Sequence, residues 1–535
     1  MRYFKAICGC LLGLLISTSV LAESPSEAQL PLLKALTEVK LSKALPVLEQ
    51  LEQTEGADMM PLFRTMLAGS LYYVKANQRL IAELEEQGVT RYSDMFTGEE
   101  LTGLSTKQVS KIKVNNKLRG YLREAIARMQ LNNPRSEVRR DAVRSLFSDL
   151  DTNTIELIRA ARLNEQSRSV QEVMDVALAL YRARHSQEAT ERLQAVKAMQ
   201  ESLEPEVRNM LTTLAESDDS RSVRKAARKG LDKIDQQAEM YGFINQLFFG
   251  LSLGSVLLLA AIGLAITFGV MGVINMAHGE MIMLGAYTTY VVQLLLPNMI
   301  EYSLWIAVPL AFMVSGLAGI LIERLVIRHL HGRPLETLLA TFGISLILQQ
   351  LVRTVFSPLN RQVATPDWMS GSIEINPLLS LTLNRLYIVA FALLVFMVLL
   401  VVLKKTSLGL NVRAVSQNRD MAKAMGIRTD RVDAMTFGLG SGIAGIAGVA
   451  LSQLTNVGPN LGQAYIIDSF MVVVFGGVGN LWGTLVAAFT LGIANKFIEP
   501  VTGAVLASIL VLVFIILFIQ KRPKGLFPQK GRAAE

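Results

Sequence analysis

Hydrophobic and polar positions follow two different rules along this chain, and the rule changes near Tyr241. From residue 23 to about 240, apolar residues recur at spacings of three and four among Leu, Ala, Glu, Arg and Gln, which favour helix. Gly, Pro and aromatic residues are sparse there, so the segment is expected to be almost wholly helical. After Tyr241, nine apolar runs follow, with cores near 243–268, 280–296, 304–326, 338–355, 386–403, 434–454, 466–478, 484–495 and 504–519. A helix needs about 20 apolar residues to cross a bilayer core, and these runs reach or approach that length. The seventh and eighth are short and glycine-rich, as tilted, broken or re-entrant segments would be. The predicted fold is all-α: a polytopic helical membrane domain of about nine spans at 241–535, preceded by a helical domain at 23–240.

A faint repeat runs through the polar half. Pro134-Arg135-Ser136-Glu137-Val138-Arg139-Arg140 resembles Asp219-Ser220-Arg221-Ser222-Val223-Arg224-Lys225, and Arg168-Ser169-Val170-Gln171 echoes both. From Val138 to Val170 is 32 residues, and from Glu191 to Val223 is 32 again. Helix pairs of this length stack by burying an apolar face against the next pair, which makes a HEAT-like solenoid one expectation and a generic helical bundle the other. Acidic and basic residues nearly balance here, against a nucleic-acid-binding face. A docking surface suits the segment better than a catalytic one.

Charge then orients the chain. Arg2 and Lys5 precede an apolar stretch at 6–20, and Val20-Leu21-Ala22 offers small residues for a peptidase. Residues 1–22 therefore read as a secretory signal, with an uncleaved anchor as the alternative. Cleavage would remove Cys8 and Cys10, which are both of the cysteines, and leave a mature chain without thiols. Arg324, Arg328 and Arg333 follow the third run. Lys404, Lys405, Arg413, Arg419, Lys423, Arg428 and Arg431 follow the fifth, and Lys521, Arg522, Lys524, Lys530 and Arg532 fill the tail. The other side holds fewer: Arg353, Arg361, Arg385 and Lys496. The richer side is expected to be cytoplasmic. The 23–240 domain then lies in the periplasm, the C-terminus inside, and the number of crossings is odd.

The chain contains no G-x-x-x-x-G-K-[ST] phosphate loop and no H-E-x-x-H zinc motif. It is not expected to be an enzyme, to hydrolyse nucleotide, or to hold a metal or cofactor of its own. Its most informative stretch is Phe268-Gly269-Val270-Met271-Gly272-Val273-Ile274-Asn275-Met276-Ala277-His278-Gly279-Glu280. Asn275, His278 and Glu280 between two apolar runs are costly in a bilayer unless solvated or paired. They mark either a translocation path or gate, or an interfacial turn. Asp468, near the outer end of the seventh run, is a fourth candidate for the path. Small residues four apart from Phe437 to Gly448 suit close helix packing.

That stretch resembles the signature of the branched-chain amino-acid permease family. Glu323-Arg324-Leu325-Val326-Ile327-Arg328 and Gly332-Arg333-Pro334-Leu335-Glu336-Thr337 are similar to the family's third loop and fourth helix. Phe475-Gly476-Gly477-Val478-Gly479-Asn480-Leu481-Trp482-Gly483 resembles its glycine-rich segment, and Arg522-Pro523-Lys524-Gly525-Leu526-Phe527 its terminal motif. With a long secreted helical extension, the chain looks most like the urea-type branch. The resemblance implies a permease subunit of an ATP-binding-cassette importer that works by alternating access. Its partners would be a second permease subunit, two ATP-binding subunits that use ATP, and an extracytoplasmic solute-binding protein. Branched-chain amino acids or short amides are the alternative solutes, and a passive channel or a sensor the alternative classes.

The loop at 404–433 would supply the mechanics. Asn418 can cap a short helix through Asp420 to Met425, and Gly426 suits its end. Val412, Val415, Met421, Ala422 and Met425 offer an apolar face beside Arg413, Arg419 and Lys423. By resemblance this is the coupling helix that docks on an ATPase subunit, with Asn411, Arg413, Asn418, Arg419, Met425 and Gly426 as its candidate residues. A basic loop lying on anionic lipid is the other possibility.

Overall fold

The computed structural model describes residues 25–39, 43–54, 58–86, 89–101, 108–330 and 332–527. The expected signal segment, with Cys8 and Cys10, lies outside them, as do Lys530 and Arg532. The chain divides into two compact units, Met1–Gln236 and Gln237–Glu535.

The first unit opens with α1 (Gln29–Glu38), α2 (Ala44–Gln53) and α3 (Met60–Ala68). They bury Leu36, Leu48, Leu51 and Phe63 against Leu118 and Leu122 of α4 (Asn116–Leu131). Between α3 and α4 the all-α expectation is corrected. Five strands, β1 (Leu71–Val74), β2 (Leu80–Glu86), β3 (Val89–Asp94), β4 (Glu100–Leu101) and β5 (Val109–Lys111), form an antiparallel sheet in the order β4-β3-β2-β1-β5. The aromatic and branched residues of Leu71-Tyr72-Tyr73-Val74 favour a strand. Side chains then fix the reversals: Asn77 Oδ1 accepts from the Arg79 amide at 3.2 Å. Asp94 Oδ1 accepts from the amides of Phe96 at 2.9 Å and Thr97 at 2.6 Å. By composition β2 is a helix former. It is a strand because β1 and β3 pair with its two edges, and because Ile81 joins Val74, Tyr92 and Val109 in a small core.

The rest of this unit is helical. α5 (Ser136–Ser145), α6 (Thr152–Asn164), α7 (Arg168–His185), α8 (Ala189–Met199), α9 (Pro205–Ser217) and the start of α10 (Arg221–Met271) share one apolar core that includes Val143, Ile158, Met174, Val196 and Leu211. Their loops reuse one device. Arg139 Nη1 donates to the carbonyls of Asn133 at 2.6 Å and Pro134 at 3.0 Å, while Nε and Nη2 clamp Glu165 at 2.7 and 2.8 Å. Arg192 treats Ser186, Gln187 and Asp218 in the same way. Arg224 binds the carbonyls of Asp218 and Asp219, and Gln171 that of Glu165. Hydrogen bonds from the Arg139 guanidinium hold the Glu165 carboxyl down to about 2, against its ordinary 4.5.

In the second unit a helix stands at each of the nine apolar runs. After the latter part of α10 come α11 (His278–Leu295), α12 (Ile300–Leu325), α13 (Pro334–Phe356) and α14 (Leu383–Lys405). Two short helices follow, α15 (Ser407–Gln417) and α16 (Arg419–Ala424), then α17 (Thr429–Ser452), α18 (Leu461–Gly476), α19 (Leu481–Thr502) and α20 (Ala504–Lys521). Among the described residues seven helices are long and apolar enough to cross a membrane: α10, α12, α13, α14, α17, α19 and α20. α18 has only 16 residues, and α11 opens on polar His278 and Glu280. α10, α11 and α17 form the buried centre, and α12 packs on α11 and α17 with its other face exposed; backbones touch there. A Cβ on Gly285 of α11 would lie 2.0 Å from the Gly445 carbonyl oxygen of α17. One end of the helices carries a hairpin of β6 (Ser372–Asn376) and β7 (Leu379–Thr382) and a cluster of the Trp305, Trp368 and Tyr387 rings, the last two edge to face. The C-terminal ends of α12, α14 and α20 carry Arg324, Lys404, Lys405 and Lys521.

Candidate functional site

The Asn275–Glu280 region is built by a break in the chain. α10 stops at Met271, Gly272 turns with φ +68, and α11 restarts at His278. Positive φ is cheap for glycine alone, so the break sits where the sequence permits it. Asn275, His278 and Glu280 are all buried, and Asn275 Oδ1 accepts from the Ala277 amide at 3.0 Å. Here the polar groups are packed inside protein.

Residues two apart on a helix point about 200° apart, and the structure separates His278 from Glu280 in this way. His278 Nε2 donates to the Ala260 carbonyl of α10 at 2.9 Å, which fixes the tautomer and joins α11 to α10. Glu280 faces the other way. Its Oε1 accepts from Ser345 Oγ at 2.8 Å and Gln349 Nε2 at 2.7 Å, both on α13. The Met276 amide donates to Thr341 Oγ1 of α13 at 3.2 Å. Asp468 is not brought to this group: it is half-buried on α18 next to Tyr465. Thr341, Ser345 and Gln349 were missed from the sequence. Their signal is polar residues at intervals of four inside an apolar run.

The basic loop is two helices. Thr406 Oγ1 accepts from the Gly409 amide at 3.3 Å and caps α15. Asn418 Oδ1 accepts from the Met421 amide at 2.9 Å and caps α16, and Gly426 follows with φ +88. Its apolar residues divide into two sets. Val412, Val415 and Ala422 are buried in the second unit's core, whereas Leu410, Met421 and Met425 are exposed. The basic residues divide too. Arg419 pairs with buried Asp433 of α17, so it fastens α16 rather than reaching outward. Arg413 is exposed and bonds the Leu403 carbonyl; Asn411 is half-buried on α15. Arg328, in the short turn after α12, pairs with Asp430 at 2.6 Å, so that turn and α17's start are held beside this loop.

The glycine-rich segment and the terminal motif form one structure. The amides of Leu526 and Phe527 donate to the carbonyls of Phe475 at 2.9 Å and Gly476 at 3.2 Å. Asn480 donates to the Phe527 carbonyl at 3.3 Å and caps α19. Gly250-Leu251-Ser252-Leu253-Gly254 has the G-x-S-x-G spacing of a nucleophile elbow, but it lies inside α10. An elbow needs a strand-to-helix turn, and these glycines instead admit Ile493 and Phe489 of α19. Among the described residues no group of three His, Cys, Asp or Glu is placed to hold a metal.

A family described as the branched-chain amino acid transport system, permease component, matches residues 246–519. The high-affinity branched-chain amino acid transport system permease protein LivH of Salmonella typhimurium is 30% identical over 295 residues, 53% of this chain and 95% of its own length. The corresponding protein BraD of Pseudomonas aeruginosa is 29% identical over 301 residues, 54% of this chain and 96% of its own. The ribose import permease protein RbsC of Bacillus subtilis is 33% identical over 110 residues, 19% of this chain and 34% of its own. No solved structure matches.

Proposed function

Because this chain belongs to the branched-chain amino acid transport permease family, we propose that it is the permease subunit of an ATP-binding-cassette importer for urea. It works by alternating access beside a second permease subunit. Two ATP-binding subunits supply the energy from ATP, and an extracytoplasmic binding protein delivers the solute. The observation that carries this reading is the exposed set Leu410, Met421 and Met425 on a capped two-helix loop rich in cations. Apolar side chains in a basic, water-facing segment need a partner, and a cytoplasmic ATPase is the partner a transport permease has.

The same reading gives nine crossings of the inner membrane, counting α11 and α18, with residues 23–240 in the periplasm and the C-terminus in the cytoplasm. The Arg139, Gln171, Arg192 and Arg224 device supports a HEAT-like repeat in the periplasmic part, used as a docking surface. The length of that part favours urea. A second reading, uptake of branched-chain amino acids, is favoured by the names of LivH and BraD. Uptake by the complete transporter in proteoliposomes separates them. Radiolabelled urea should accumulate only with ATP and binding protein, and leucine should not compete. Leucine accumulation without urea uptake would select the second reading.

A further inference from the structure

α13 is inverted relative to a water-soluble helix. Its buried residues are Thr337, Thr341, Ser345, Gln349 and Val352, while Leu335, Leu339, Leu346, Ile347 and Leu351 are exposed. Successive polar residues are four apart, so they stay on one face and drift only about 40° per step. At 1.5 Å per residue the stripe begins at the helix start and reaches about 22 Å along it at Gln349. Ser345 stands near the midpoint of a helix long enough to span the bilayer.

The broken backbone at 272–277 meets this stripe at depth. The Met276 amide is bonded to Thr341, about 10 Å along α13. Non-helical backbone inside a membrane survives only when buried in protein or lining a wet cavity. Glu280, one turn beyond the break, has one oxygen occupied by Ser345 and Gln349. Its other oxygen, Oε2, is buried and has no partner. Structural gluing of two helices would be satisfied by the first oxygen and would gain nothing from burying the second.

The geometry points to a mid-membrane solute station between α11 and α13. Glu280 Oε2 is its acceptor, Ser345 and Gln349 hold the Glu280 carboxyl in place, and the α13 stripe is one wall of the path. The ligand is a small molecule that offers N–H donors, a chemistry shared by urea and by the ammonium group of an amino acid. This inference rests on the permease reading above and assigns it residues. Loading the station requires α11 and α13 to part, since every polar side chain in it is closed to water in this conformation.

The test uses single-cysteine variants of the full chain in native membrane vesicles, with Cys8 and Cys10 replaced by Ser. Ser345→Cys and Gln349→Cys should react with a small, membrane-impermeant methanethiosulfonate during ATP-driven cycling. Excess urea or leucine, used as separate probes, should slow that reaction at least fivefold. Leu346→Cys, on the exposed face, should show no solute dependence. Protection by leucine and not by urea would keep the station and overturn the urea assignment. ATP-driven uptake in the cysteine-substituted parent, with Ser345→Cys and Gln349→Cys unreactive in every state, would overturn the station and leave the importer reading intact. In parallel, Gln349→Leu should raise the KM for uptake about tenfold, with partial rescue by Gln349→Asn. An unchanged KM in both would also overturn it.

Discussion

Arg139 closes a loop and clamps a neighbouring helix pair with a single guanidinium. The two carbonyls it binds and the Glu165 carboxylate are all lost together when it is removed. Glu165 is only 4% exposed, so Arg139→Ala leaves a buried charge without its partner. We expect a loss of about 2 kcal/mol, read as faster proteolysis of the first unit or a lower Tm. The pair also gives acid sensitivity of defined sign. The folded carboxyl titrates at about 2 and the unfolded one near 4.5, so its contribution is complete above pH 5 and disappears as pH falls toward 2. Glu165→Gln should flatten that part of the stability profile. In the second unit, Arg419→Glu would set a second carboxylate against buried Asp433. It should cost about 3 kcal/mol or more and lower the yield of folded permease. Arg413→Glu, at an exposed position, gives up only the bond to the Leu403 carbonyl; it should lower the yield far less than Arg419→Glu and weaken ATPase binding.

At the scale of elements, α16 shows how a short helix is made dependable. Six residues are too few to be stable alone in water. Asn418 supplies the cap, Ala422 the buried contact, Arg419 the tether and Gly426 the left-handed exit. Gly426→Val meets nothing within 4 Å at its Cβ but has the wrong φ, so its cost is mainly conformational, about 1 kcal/mol or more. Uptake should fall while the chain still inserts. Met425, 77% exposed, is the place for a cross-linker. Met425→Cys, with Cys8 and Cys10 replaced by Ser, should capture an ATP-binding subunit in membranes of the intact transporter. Reaction with lipid probes alone would make the loop a membrane-surface segment.

For the whole molecule, the distribution of cations sets the expected topology. Protease added to spheroplasts should digest residues 23–240 without lysis of the membrane, and a tag after Glu535 should remain protected. The reverse result would invert the orientation. Such a result would also move Met421 and Met425 away from any cytoplasmic partner, so the coupling assignment depends on the same measurement.

The helical membrane half was legible in the sequence because a bilayer imposes one long-wavelength rule, runs of apolar residues, and helix satisfies its own backbone locally. The Asn418 cap and Gly426 exit were equally readable, since both act within a few residues. The strand at Leu80–Glu86 was not, because its pairing with Leu71–Val74 and Val89–Asp94 outweighs a helix-forming composition. Nor could the sequence say that His278 and Glu280 face opposite neighbours, that Arg419 turns inward to Asp433, or that Ser345 and Gln349 complete the buried polar group. Those outcomes depend on which helix packs against which face. Local preference determined the membrane helices and the caps; the meeting of distant segments decided the strand at Leu80–Glu86 and which polar atoms are paired and which are left free.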